Sequence, residues 1–149
     1  IGLIKVGNDP YVIEYNVRMG DPETQVVLPR ISSDFLELMV RTANQTLNNF
    51  DLQIHEETYA NIVMVAGGYP ESYEKGNPIT GIPKDNETSK IFHAGTIEID
   101  NKFFTNGGRV LSVVSKGSDF KQALSKSYEI ARKIDFKDKN YRKDIGFDL

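Results

Sequence analysis

The sequence has no cysteine. Disulfides, thiolate catalysis and zinc–thiolate centres are therefore excluded, and a reducing, cytoplasmic setting is in keeping with the composition. It has no basic excess either: 18 Lys and Arg stand against 21 Asp and Glu, for a formal net charge of −3. That balance cannot neutralise a row of phosphates, so neither nucleic acid nor a membrane surface is an expected partner. No apolar run approaches the ~20 residues that span a bilayer, and no secretory leader is visible. Internal repeats and low-complexity tracts are missing too. What is there is a globular composition, 39% hydrophobic and 26% charged over 149 residues, enough for one domain or two small units. The sequence opens at Ile1 inside a strand-like run with no cap or turn before it, and an upstream part is expected.

The stretch around which the rest is organised is Tyr11 to Gln25. Tyr11, Ile13, Tyr15 and Val17 alternate with Val12, Glu14, Asn16 and Arg18, the period of a strand with two unlike faces. The first face is apolar and is expected to pack on a core. The second carries a carboxylate, a carboxamide and a guanidinium in a row. Side chains two apart on a strand are rooted about 6–7 Å from each other, so Glu14 and Asn16 can lean onto one hard cation, which takes oxygen ligands. Arg18 then faces whatever anion that cation holds. Met19-Gly20-Asp21-Pro22-Glu23 breaks the strand and adds two carboxylates. The same pattern also describes the ordinary solvated outside of an antiparallel strand.

Elsewhere the pattern predicts a strand over Ile1–Val6, joined to Tyr11–Val17 by the turn formers Gly7-Asn8-Asp9-Pro10. Asp34 is the expected N-cap of a helix, with Glu37 three residues on. Phe35, Met39, Ala43 and Leu47 form its apolar stripe, read as core, and Asn48-Asn49 its end. Asp51–Thr58 reads as a connector, with His55 solvated. A strand is expected over 59–65, then a Gly- and Pro-rich structured loop from Gly67 to Ile79. A hairpin is expected over 91–105 with its turn at Asn101-Lys102, and a strand over 109–114. A last helix opens at Ser118-Asp119 with Phe120, Ala123, Leu124, Tyr128, Ala131 and Ile134 on its apolar stripe, and a charged tail runs from Asp135 to Leu149. His93 reads as a buried, hydrogen-bonded histidine, with a site residue as the alternative. Arg109 follows Gly107-Gly108, and a guanidinium beside a Gly-rich turn suits a phosphate monoester. An Arg lying over the sheet in a salt bridge with an acidic neighbour is the equal alternative.

Five blocks carry a resemblance to a known family: NVRMGDPETQ (16–25), GGYPESYEKGNPITG (67–81), FHAGT (92–96), NGGRVLSVV (106–114) and YRKDIGF (141–147). In that order they resemble the C-terminal third of phosphoribosylamine–glycine ligases, also called glycinamide ribonucleotide synthetases, of the ATP-grasp superfamily. The resemblance implies an α+β chain. Residues 1–54 would be the end of the ATP-grasp domain, a strand hairpin plus a helix. Residues 55–149 would be the small β-rich C-terminal domain with its own helix. It implies that ATP phosphorylates the glycine carboxylate and that the amine of 5-phosphoribosylamine attacks the acyl phosphate. By position, Glu14 and Asn16 match the family's ligands for Mg2+ (or Mn2+). Arg18 suits a phosphate or the glycine carboxylate, and Asp21 the amine end of a substrate. Gly108 and Arg109 suit the 5-phosphate, as a similar Gly-Arg turn does in the related formate-dependent transformylase. No residue is expected as a nucleophile. The expected partners are ATP, glycine, 5-phosphoribosylamine and the missing N-terminal part of the enzyme, without which the chain is expected to be inactive. YRKDIGF stands near the C-terminus of the single-function form, so the end of the chain is expected to be natural. A sugar-phosphate-binding or docking module, or a purely structural β-rich cap, are the competing readings, but neither has a use for the NVRMGDPE block.

Overall fold

The computed structural model describes residues 1–147; the last two residues of the charged tail, Asp148 and Leu149, lie outside them. In chain order the elements are strands β1 (Gly2–Val6) and β2 (Asp9–Glu14), helices α1 (Thr24–Val27) and α2 (Phe35–Ala43), strands β3 (Thr58–Val65), β4 (Pro78–Ile79), β5 (Ser89–His93), β6 (Thr96–Ile99), β7 (Lys102–Thr105) and β8 (Arg109–Gly117), and helix α3 (Phe120–Lys133). The strands form three antiparallel sheets, ordered β1-β2, β3-β8-β5 and β4-β7-β6. Among the described residues no helix is long and apolar enough to cross a membrane.

Strand β8 is the centre of the molecule. Its residues Val110 to Ser115 are all buried, as a near-continuous apolar run dictates for a strand covered on both faces. It pairs with β3 from Thr58↔Gly117 to Val65↔Arg109 and with β5 from Ser89↔Ser115 to His93↔Leu111. The two serines are tolerated inside because Ser89 Oγ and Ser115 Oγ hydrogen-bond each other at 2.9 Å, which removes the penalty of an unpaired hydroxyl. Helix α3 packs on β3 and β8. Asp119 caps it, accepting from Gln122 N at 2.8 Å, as expected, and Ala123, Ser127 and Ala131 turn inward. The core comprises Ile62, Met64, Ile79, Ile91, Val110, Leu111, Val113, Ile134 and Phe136 among others.

Among the described residues every buried hydrophobic residue lies from Ile62 to Phe136, and none in the first 61 residues. This corrects two expectations. The apolar face of β2 does not pack on a core: Tyr11, Ile13, Tyr15 and Val17 are all exposed. Helix α2 is capped by Asp34, which accepts from Glu37 N at 2.8 Å, yet it buries no residue, and Leu36 is 73% exposed. The reason is geometric. A two-stranded hairpin and one short helix make no second layer to close over their apolar sides.

The remaining departures are local. The hairpin turn is Gly7-Asn8, with Gly7 at φ 63°, and Asp9 and Pro10 already pair with Val6 and Lys5. Strand β2 stops at Glu14, so Asn16 and Arg18 lie past its end. Helix α2 stops at Ala43, and a separate 3₁₀ turn holds Leu47–Asn49. The turn between β6 and β7 is Asp100-Asn101, both residues at positive φ (49° and 59°), the requirement of a two-residue turn that follows the strand twist. Strands β5 and β6, adjacent in sequence, belong to different sheets. His93 is exposed, with Nδ1 2.9 Å from Thr96 Oγ1 and its ring 4.5 Å from that of Phe103. His55 N donates to Arg30 O at 2.7 Å, tying the connector to the segment before it.

Candidate functional site

The residues singled out by the sequence fall into three places. Glu14 closes β2 and Asn16 follows two residues later. Asn16 Nδ2 donates to Glu14 Oε1 at 2.9 Å, and the carboxylate and carboxamide form one exposed pair. Arg18 folds back on its own loop and donates from Nη1 to Met19 O at 3.0 Å. Asp21, Gly108 and Arg109 meet at the join between the two parts of the chain.

That join is built by the loop running from Met19 into α1. Thr24 N and Thr24 Oγ1 both donate to Gly20 O, at 2.9 and 2.7 Å, which closes the turn ahead of the helix. Gln25 Nε2 donates to Asp21 Oδ1 at 3.0 Å. The Asp21-Pro22 peptide is cis, and Pro22 O accepts from Asn61 Nδ2 of β3 at 3.2 Å. From the other side comes Arg109, the first residue of β8. Its Nη1 donates to Asp21 O at 2.8 Å and lies 3.2 Å from Asp21 Oδ2. Its Nε donates to Tyr69 Oη at 3.2 Å. The guanidinium is held above its ordinary pKa, first by the hydrogen bond to Tyr69, with burial opposing and the Asp21 carboxylate adding to it. It is a permanent cation, still partly open to solvent.

Gly108 is buried rather than open as a cradle. A Cβ at Gly108 would stand 2.1 Å from Tyr69 Cδ2 and 3.0 Å from Tyr73 Cε1. The glycine is required here because the Tyr69 ring occupies the space. Gly95 and Gly107 serve a similar end, since a Cβ on either would come within 2.8 Å of the other's Cα. That close approach lets Ala94 N and Gly95 N reach Val110 O and Arg109 O at 3.1 and 2.8 Å. Tyr69 and Gln25 were not legible as site residues. The GGYP run signals a turn and gives no hint that its tyrosine reaches a residue 40 positions on.

Among the described residues no group of three or more His, Asp and Glu side chains comes together as a metal cluster. The Glu14–Asn16 pair is an exposed carboxylate–carboxamide contact that belongs to no such cluster. The fold and this site define a small antiparallel α+β unit, preceded by a hairpin whose acidic loop is clasped by an arginine of the central strand. The family model of the phosphoribosylglycinamide synthetase C domain matches residues 59–148, and the chain belongs to that family.

The chain is 47% identical over 148 residues to the phosphoribosylamine–glycine ligase of Fusobacterium nucleatum, covering 97% of this chain and 35% of that protein. It is 39% identical to the ligase of the same name from Agrobacterium fabrum, covering 98% of this chain and 34% of that one. A bifunctional purine biosynthetic protein of Pichia angusta is 47% identical over 145 residues, which is 97% of this chain and 18% of that one. The crystal structure of phosphoribosylamine–glycine ligase from Thermotoga maritima superposes with a TM-score of 0.73 at 39% identity, covering 96% of this chain and 35% of that chain. The chain therefore spans about a third of the length of the single-function relatives it matches.

Proposed function

We propose that this chain is the C-terminal part of an ATP-dependent carbon–nitrogen ligase that joins glycine to 5-phosphoribosylamine. In the reaction so proposed, a glycine carboxylate oxygen attacks the γ-phosphorus of ATP. ADP leaves, and glycyl phosphate forms. The amine of phosphoribosylamine then attacks the acyl carbon, the C–O bond to phosphate breaks, and the amine proton is lost as phosphate departs. Such chemistry is governed by charge neutralisation and positioning, and needs no nucleophilic side chain.

In this reading residues 1–54 belong to the ATP-grasp part and residues 55–149 to the C-terminal domain. Glu14 and Asn16 fit a hard divalent cation, because a carboxylate and a carboxamide offer oxygen donors and the two side chains are adjacent and exposed: Asn16 Nδ2 now donates to Glu14 Oε1 at 2.9 Å, and turning the amide over presents its oxygen beside the carboxylate instead. When bound, Mg2+ (or Mn2+) would neutralise charge on the ATP phosphates. Magnesium commonly takes one or two protein carboxylates and completes its shell with phosphates and waters, so two donors from this chain suffice. Arg18 reaches a phosphate or the glycine carboxylate once it leaves the Met19 carbonyl. Asp21 keeps acceptor capacity for an ammonium or amine, since a carboxylate accepts about four hydrogen bonds and two are taken. Arg109 serves the 5-phosphate, and Gly108, buried beneath the Tyr69 ring, serves it only indirectly, by leaving room for that ring. The exposed apolar faces of the hairpin and of α2 receive the upstream part of the enzyme.

The observation that carries this reading is the clasp itself. Asp21, in the block next to the cation pair, and Arg109, in the Gly-Arg block, are 88 residues apart in sequence and hydrogen-bonded in space. A cap or docking module has no need to bring these two blocks together. In the full-length enzyme, Glu14→Gln or Asn16→Leu is expected to lower turnover on the order of 10²-fold, the loss typical of one transition-state charge contact, and to raise the magnesium requirement without changing the melting temperature. Wild-type rates and magnesium dependence in both variants refute the assignment. This chain alone is expected to release no ADP from ATP, glycine and phosphoribosylamine, and robust turnover would show that it needs no upstream part.

A further inference from the structure

Tyr69 occupies a position that its turn alone does not require. The chain doubles back after β3: Tyr69 N donates to Ala66 O at 3.1 Å, and Ala66 N donates to Gly108 O at 2.8 Å. The phenol ring is laid on the bare Cα of Gly108, and the Tyr73 ring backs it at 6.1 Å, tilted by 57°. The hydroxyl is thereby delivered to Arg109, whose Nε donates to it at 3.2 Å. An oxygen that accepts this bond still carries its own hydrogen, and among the described residues Tyr69 Oη has no further partner.

Arg109 is in the matching condition. Nε is bound to Tyr69, and Nη1 to Asp21 through the carbonyl and the carboxylate. Nη2 makes no hydrogen bond among the described residues. In a planar guanidinium Nη2 lies on the Nε–H side, next to whatever Nε holds. The free N–H and the free O–H are therefore neighbours, on a cation fixed at two of its three nitrogens. Two adjacent donors beside a permanent positive charge match two oxygens of one anion.

We propose that Tyr69 Oη and Arg109 Nη2 form a single anion subsite and that Tyr69 is a binding residue for the phosphate monoester of the sugar-phosphate substrate. The inference rests on the reading of Arg109 given above and extends it. The arginine reaches the phosphate with only one edge, because Asp21 holds the other, and the tyrosine supplies the second donor that would otherwise be missing. The ring also sets selectivity. It walls the subsite with carbon, so the anion has to present its oxygens along the line between the two donors.

Tyr69→Phe keeps the ring over Gly108 and removes only the hydroxyl. In the full-length enzyme it is expected to raise KM for phosphoribosylamine roughly tenfold, the loss of one hydrogen bond to a charged group. The constants for glycine and ATP and the melting temperature should stay within twofold and a degree or so of wild type. Arg109→Ala is expected to raise the same constant further. The double variant should fall short of the product of the two effects, because both donors serve one anion. Wild-type phosphoribosylamine kinetics in Tyr69→Phe, with a selective defect in Arg109→Ala, overturn the role of Tyr69 and leave that of Arg109 standing. No selective defect in Arg109→Ala overturns both. A Tyr69→Phe enzyme with all three constants raised together and a lowered melting temperature assigns the hydroxyl a structural task, which also overturns the proposal.

Discussion

Lys139 shows how much one residue can hold. Its ammonium donates to the carbonyls of Ala131 and Ile134 and, at 3.3 Å, to Arg132 O, and it lies 3.4 Å from Asp135 Oδ1. These are carbonyls that the end of α3 leaves without amide partners, and a cation there also meets the negative end of the helix. Lys139→Met keeps the apolar stem and removes the donors. It is expected to lower the unfolding free energy by about 1.5–3 kcal/mol, the scale of a charged hydrogen bond, read from urea denaturation. A loss below about 0.5 kcal/mol would show that water serves those carbonyls equally well. Glu57 and Lys116 give a pH-dependent counterpart. Lys116 Nζ donates to Glu57 Oε1 at 2.9 Å, which holds Glu57 below its ordinary 4.5 and Lys116 above its ordinary 10.5. The depressed carboxylate contributes stability that is complete above 4.5 and is lost as pH falls through its lowered value. The raised lysine contributes stability that is complete below 10.5 and is lost as pH rises through its raised value. Between about pH 6 and 9 the pair is therefore flat, and being exposed it is worth little. Lys116→Met should shift the urea midpoint slightly within that window and reduce its fall below pH 4.5. An acid limb identical to wild type would exclude the pair as a contributor.

At the scale of elements, local chemistry was readable and long-range placement was not. Asp34 with Glu37 and Asp119 with Gln122 are caps whose partners lie three residues away, so the sequence displays both halves of each bond. Gly7-Asn8 and Asp100-Asn101 are legible as turns for the same reason, though their registers slipped by a residue or two. Nothing local says that β5 pairs with β8 while its neighbour β6 turns away to β7, or that Tyr69 lands on Gly108. Glu14 and Asn16 were expected to be neighbours on one strand, and they do touch, although Asn16 lies past the end of β2; of the two readings of Arg109, the salt bridge with an acidic neighbour is present. The partners that hold Arg109 were not legible, because Asp21 and Tyr69 reach it across 88 and 40 residues. Burial follows the same rule. The sequence marked 109–114 as a strand but not as the central one; its near-continuous apolar run suits a strand covered on both faces, since a strand with one wet face alternates. Leu111 is fully buried in it. Leu111→Ala is expected to cost about 2–5 kcal/mol, against no more than about 1–2 kcal/mol for Asp119→Ala at the α3 cap. Equal losses in the two variants by urea denaturation would mean that β8 is not the centre of the core.

On the scale of the whole molecule, the chain has one core and an apron without one. Periodicity marked the stripe of α2 as apolar, but amphipathicity states only that something covers the stripe, not that this chain does. Phe35, Leu36, Met39 and Val40 are all exposed, as are Leu3, Ile4 and Val6 of β1 and Tyr11, Val12 and Ile13 of β2. So much apolar surface in one stretch is typical of an interface, and the chain spans about a third of its single-function relatives. A comparison of one substitution in two settings follows. Leu36 is 73% exposed here, so Leu36→Ala should change the stability of this chain by less than about 0.5 kcal/mol. In the full-length enzyme, where the upstream part is proposed to cover α2, the same substitution empties a buried site and is expected to cost about 2–5 kcal/mol. Urea denaturation of both proteins, followed by hydrogen exchange of the α2 amides, separates the cases. If α2 is covered, its amides gain protection in the longer protein and lose part of it in the variant. If the two proteins respond alike and α2 exchanges freely in both, the apolar faces of the apron are not a docking surface for the rest of the enzyme, and the assignment of residues 1–54 to the ATP-grasp part loses its physical support.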